Sequence, residues 1–122
     1  MANTAIATIK GKFIEIVLAG SGASWDMTTA PEVPAELRAL GYLQVDAITF
    51  EPSQAGDVCV ITEGPGAGGP KIFMSKTILT TRGVIPTDRQ TFKSKKMTPY
   101  FDMSKSTIGG TIGNASILIE LA

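Results

Sequence analysis

The chain has 122 residues, 11 basic and 11 acidic side chains, no histidine and a single cysteine. That is the length of one domain, residues 1–122, able to bury a core without disulfides or metals. Zero net charge argues against nucleic acid or an anionic membrane as the main partner, the missing histidine removes the commonest general base and zinc ligand, and one cysteine excludes an intrachain disulfide.

The chain opens MANTAIATIKGKFIEIVLAG. No basic region precedes an apolar run, and Lys10 and Lys12 interrupt the hydrophobic residues, so the segment lacks the shape of a signal peptide. The longest uncharged apolar stretch is far shorter than a membrane span. The expectation is a protein made and kept in a cytosol-like compartment, or released from it by cell lysis, with no membrane partner. Thr4 to Ile9 and Lys12 to Leu18 are rich in β-branched residues and read as one bent strand or two short ones around Gly11. SGAS at 21–24 is a turn, and Trp25, the only tryptophan, comes directly after it. PEVPAELRALGY at 31–42 is the one helical passage, with Pro34 fit for the first helical position and Gly41 for the stop.

The clearest strand pair comes next. LQVDAITFEPS at 43–53 alternates, with Val45, Ala47 and Thr49 on one face and Asp46, Ile48 and Phe50 on the other. AGDVCVITEG at 55–64 resumes the β pattern after a turn-rich break, and Cys59 inside it reads as a small core residue. EGPGAGGPK at 63–71 has the glycine spacing of a phosphate loop, but Pro70 precedes Lys71 and removes an N–H. The adjoining run KIFMSKTIL is β-branched rather than helical, so no helix N-terminus is available to hold a phosphate. The segment is expected to be a hairpin loop whose glycines supply positive φ.

IFMSKTILTTRGV at 72–84, MTPYFD at 97–102 and SILIELA at 116–122 are further strands. The basic cluster FKSKKM, with Lys93, Lys95 and Lys96, reads as a solvated loop or a lysine-protected edge strand, then as a contact to an acidic subunit. About seven short strands at roughly 10-residue spacing predict an antiparallel sandwich or barrel. Asp26, Asp46, Asp57, Asp88 and Asp102 are scattered singly and form no calcium loop. Without histidine no triad of the usual type exists. The reading is a non-enzyme with no cofactor and no metal.

Three blocks carry a family resemblance. Ile48, Phe50, Pro52, Gly56 and Asp57 form the first. Val58, Val60, Ile61, Glu63, Gly64, Gly69, Pro70, Ile72 and Phe73 form the second. Pro99, Tyr100, Phe101, Asp102, Ser106, Thr107, Ala115, Ile117, Ile119 and Glu120 form the third. Over roughly its last 80 residues the chain resembles small virion proteins of tailed bacteriophages, and the resemblance implies a head cement, or decoration, protein. The resemblance implies an all-β, antiparallel, jelly-roll-like β-sandwich with one short helix. It implies a partner, the major capsid protein, bound on the capsid exterior of the virion after assembly of a chain made in the host cytoplasm. It also implies a homo-oligomer, dimer or trimer. A charged fraction of only 18% suits a surface partly covered by a partner. The N-terminal strand, with Ile6, Ile9 and Phe13, is expected to add to a neighbouring sheet. Trp25, Pro99, Tyr100 and Phe101 are candidate interface anchors, although each also fits a core. The alternatives are a tail or head–tail connector component, and a carbohydrate-binding module. The latter usually exposes a row of Trp and Tyr, of which this chain has one and two.

Overall fold

The computed structural model describes residues 4–6, 13–18, 24–30, 33, 35–78, 83, 85–109 and 115–122. In chain order the elements are β1 (Thr4–Ile6), β2 (Phe13–Leu18), β3 (Trp25–Asp26), α1 (Ala35–Leu40), β4 (Leu43–Glu51), β5 (Val58–Glu63), β6 (Lys71–Lys76), β7 (Asp88–Met97), β8 (Pro99–Phe101) and β9 (Ala115–Leu121), with a 3₁₀ turn at Met103–Lys105. One sheet has five strands in the order β1-β2-β9-β4-β7, and the other has four in the order β3-β8-β5-β6. Every pairing is antiparallel. With β1 set aside, the strand orders β2-β9-β4-β7 and β3-β8-β5-β6 are those of a jelly roll. The fold is therefore the all-β sandwich that the strand spacing predicts.

Period-two alternation decides which residues face inward. In the five-stranded sheet, Ile14 pairs with Ile119 and Ile119 with Ile48, while Ile16 pairs with Ile117 and Ile117 with Phe50. In the four-stranded sheet, Trp25 pairs with Phe101, Phe101 with Ile61 and Ile61 with Phe73. All of these side chains belong to one buried cluster. Two rows of large apolar residues from the longer sheet thus meet one row from the shorter sheet across the sandwich. Burying each such side chain is worth about 1.5–3 kcal/mol against exposure.

Two expectations need correction. The 43–53 segment does not keep one phase: a bulge between Val45 and Ala47 shifts its register against both neighbours. Leu43 and Val45 face the core before the bulge, and Ile48 and Phe50 after it, so Val45 and Thr49 do not share a face. A bulge adds one residue to one strand, which inverts a period-two pattern. The second correction concerns the expected pair of 43–53 with 55–64. β4 and β5 lie in different sheets, and the turn-rich segment between them is a crossover, not a hairpin.

The loops are fixed by aspartates. Asp57 is fully buried. Its Oδ2 accepts the Ser53 N–H at 2.7 Å, the Ser53 hydroxyl at 2.7 Å and the Gln54 N–H at 3.3 Å, and its Oδ1 accepts the Gly109 N–H at 2.9 Å. Asp102 caps the 3₁₀ turn by accepting from Ser104 N–H and hydroxyl. Asp26 Oδ1 accepts from Thr28, and its Oδ2 accepts the Gly66 N–H at 3.1 Å. The β5–β6 hairpin forms as expected, with Gly66 at φ 71° and Gly68 at φ 102° in its loop. Its tip is tied to β3 by that Gly66–Asp26 bond. The helix ends at Gly41, φ 76°, whose N–H donates to the Leu37 carbonyl at 3.1 Å. Pro34, the expected first helical residue, lies outside the described residues.

Candidate interface

The inner row of the four-stranded sheet claims two of the expected anchors. Trp25 and Phe101 are directly paired, and both are buried in the core cluster. Pro99, opposite Glu63, is also buried. These three side chains have almost no surface left for a partner, because strand alternation turns residues 25 and 101 inward. Tyr100, between Pro99 and Phe101, turns outward and is half-buried beside Asp26 and Thr62. The three aromatic and proline positions are therefore not one exposed cluster.

The N-terminal segment is also used differently. Residues 13–18 form β2, paired with β1 on one side and β9 on the other. An internal strand has no free edge to lend a neighbour, so augmentation is left to the outer edge of β1. Ile6 sits in β1 opposite Glu15. Ile9 lies outside the described residues. Phe13 stands opposite Glu120 on the outer face of the five-stranded sheet and is 38% exposed.

A surface that the sequence did not single out lies on β6, the edge of the four-stranded sheet. Phe73, Ser75 and Thr77 are buried, whereas Met74 is 49% and Ile78 69% exposed. Ile72 is half-buried at the register shift between β5 and β6 and packs against the core cluster. Val60, opposite Met74 on β5, is buried on the outer face behind it. Met74 and Ile78 thus form an exposed apolar pair at the rim of the sandwich, with Lys76 between them. The signal was present: residues 72–78 carry apolar side chains on both parities, which a strand buried on one face does not require. Gln90 of β7 donates to the Met74 carbonyl at 3.2 Å, which ties the rims of the two sheets together.

Charge is arranged around these apolar features. Arg89 on β7 and Glu120 on β9 meet across β4 at 3.0 Å. The hydrogen bond to Glu120 raises the Arg89 guanidinium above its ordinary value, and the charge of Glu120 adds to it. Lys105 lies 4.0 Å from Asp102. Cys59 faces inward opposite Ser75, and burial pushes its thiol well above the ordinary range, with the Asp88 charge adding. Among the described residues no group of three or more His, Cys, Asp or Glu is placed to hold a metal ion. No described helix is long and apolar enough to cross a membrane.

No family model, curated protein or solved structure matches the chain.

Proposed function

We propose that this chain is a virion structural protein: a cement, or decoration, protein that docks on the outside of a tailed-phage head at junctions between major capsid protein subunits. The observation that carries the reading is the exposed apolar pair of Met74, on the edge strand β6 of a jelly roll, and Ile78 just beyond it. Jelly rolls serve in viral capsids and in lectins alike, so the fold by itself names no function. An apolar rim needs a cover, and a shell surface repeated in many copies supplies one. The three blocks of residues that resemble phage virion proteins support the same partner. A protein that binds only the expanded shell stabilises that state by mass action, by about 2.7 kcal/mol per site at a free concentration one hundred times Kd.

The test is co-sedimentation with expanded heads that lack the protein, then heating of the decorated heads. Saturable binding in a fixed ratio to the major capsid protein, with a raised shell melting temperature, is the expected result. Replacing Met74 and Ile78 by Asp together is expected to weaken binding at least tenfold while the far-ultraviolet spectrum stays unchanged. Heads that pellet without the protein at every concentration sink the reading.

A further inference from the structure

A second surface combines an apolar pocket with positive charge. Where α1 meets the start of β4 and the end of β9, a pocket of about 190 Å³ is lined by Leu37, Leu40, Tyr42, Leu43, Gln44 and Leu121, with Ala122 at its edge. Leu40 at its mouth is 57% exposed. The pocket borders β7, the free edge of the five-stranded sheet. The Lys96 ammonium lies 5.1 Å from the centroid of the Tyr42 ring, which puts a cation at the rim of the apolar hollow.

The backbone of β7 displays more lysine than a regular strand would. Residues 93 to 96 are all exposed, where alternation would turn every second one inward. The cause is a pair of left-handed residues, Lys93 at φ 53° and Ser94 at φ 57°. For residues with a Cβ that conformation costs about 1–2 kcal/mol each. Asp46 holds it by accepting from Ser94 N–H at 2.8 Å and from the Ser94 hydroxyl at 3.1 Å. Lys93, Lys95 and Lys96 make no ion pair among the described residues. A strained backbone that presents three exposed lysines around one carboxylate, Asp46, with Lys96 against the Tyr42 ring of the apolar hollow, marks a functional surface.

The geometry points to a docking site for an acidic, extended peptide segment that sets one apolar side chain into the pocket beside Leu40 and its carboxylates against Lys93, Lys95 and Lys96. The charge of the surface selects the sign of the partner, and the hollow selects the apolar anchor. The site rests on the cement reading only for the owner of that segment, which that reading makes a capsid subunit.

The probe is a synthetic octapeptide of alternating glutamate and leucine, titrated into the full-length protein and monitored by amide chemical shifts. Saturable shifts centred on residues 37–44 and 93–97 are expected at 50 mM salt, weakening at least tenfold at 500 mM as the charges are screened. An octapeptide of glutamate alone is expected to bind at least tenfold more weakly. Leu40→Asp, and separately Lys95→Glu with Lys96→Glu, are each expected to weaken the Glu-Leu peptide at least tenfold, whereas Lys71→Glu on β6 is not. Absence of shifts, shifts centred elsewhere, or binding within twofold of wild type in both pocket variants overturns the site. Sedimentation with heads separates the two readings. Heads that bind wild type and both pocket variants equally keep the cement reading and overturn this site. A wild-type protein that ignores heads but binds the peptide overturns the cement reading and keeps the site.

Discussion

Replacing Asp57 by Ala removes a buried acceptor shared by the β4–β5 crossover and the approach to β9. Asp57 closes the 52–57 segment that carries the chain from β4 to β5, and its Oδ1 reaches across to Gly109 on the approach to β9. Four donors lose their acceptor: Ser53 N–H and hydroxyl, Gln54 N–H and Gly109 N–H. A hydrogen bond to a charged group contributes about 1.5–3 kcal/mol, and a buried donor stripped of its acceptor loses most of that. Ser53 is 6% exposed, so its two short bonds have little water to replace them. Gln54 is half-buried and Gly109 exposed, so those donors rehydrate. The loss is then set by the Ser53 pair, about 3–5 kcal/mol, a large part of the 5–15 kcal/mol typical of a whole domain. The assay is equilibrium urea unfolding monitored by the fluorescence of Trp25, with m compared between proteins so that only the midpoint carries the result. Asp57→Asn keeps an oxygen for the Ser53 side but turns an amide N–H₂ toward the Gly109 donor. It is expected to cost less than Asp57→Ala and more than nothing. A loss under about 1 kcal/mol in Asp57→Ala, with m unchanged, refutes the clamp, since a single charge-assisted bond already exceeds it.

At Gly69 an added Cβ would overlap the Glu63 carbonyl oxygen, a backbone atom that cannot swing away. Gly69→Ala is therefore expected to lower stability by about 3 kcal/mol in thermal or urea melts. Gly109→Ala, where the methyl meets only the Gln54 side-chain amide, is expected to cost less. Lys93→Gly relieves a left-handed residue and is expected to raise stability by about 1 kcal/mol, seen as a higher urea midpoint. Cys59 should resist a thiol reagent at pH 8 in the folded protein and react on unfolding. Because its folded pKa is raised, its contribution is complete below the ordinary thiol value of about 8.5 and is lost as pH rises above it. Comparison with Cys59→Ala tests this: the stability gap between the two proteins is expected to narrow by about 2 kcal/mol from pH 8.5 to pH 10.

The strands were legible where chemistry is local. β5, β6 and β9 are runs of β-branched and aromatic residues bounded by Gly, Pro or Asn, and the 64–70 loop announces a turn by composition. The phase of β4 was not legible, because the bulge at Val45/Ala47 is fixed by its partners β7 and β9, each more than 40 residues away in sequence at that point. Sheet membership failed for the same reason: a crossover and a hairpin use the same turn residues. Among the candidate interface residues, aromatic character alone could not separate Tyr100 from Trp25 and Phe101. Facing direction separates them, and that depends on where β8 starts. The aspartates looked scattered, yet Asp26 with Thr28 and Asp102 with Ser104 are D-x-[ST] pairs, a local turn signature within reach of the sequence. The partner of Asp57 at Gly109 was beyond such a signature.

The position of β9 has a consequence for how the molecule is made. This strand, residues 115–121, lies between β2 and β4, so it joins the earliest strands of the chain to the middle ones. On the ribosome β2 and β4 emerge long before it and have no other route to each other. Until β9 arrives, Ile14, Ile16, Ile48 and Phe50 present an open apolar face with unpaired strand edges on both sides of the gap. The four-stranded sheet is complete sooner, since its last member is β8. Folding is therefore expected to be slow, dominated by long-range pairing. In a cell producing many copies at once, the nascent half-sandwich is the species most at risk of sticking to its neighbours.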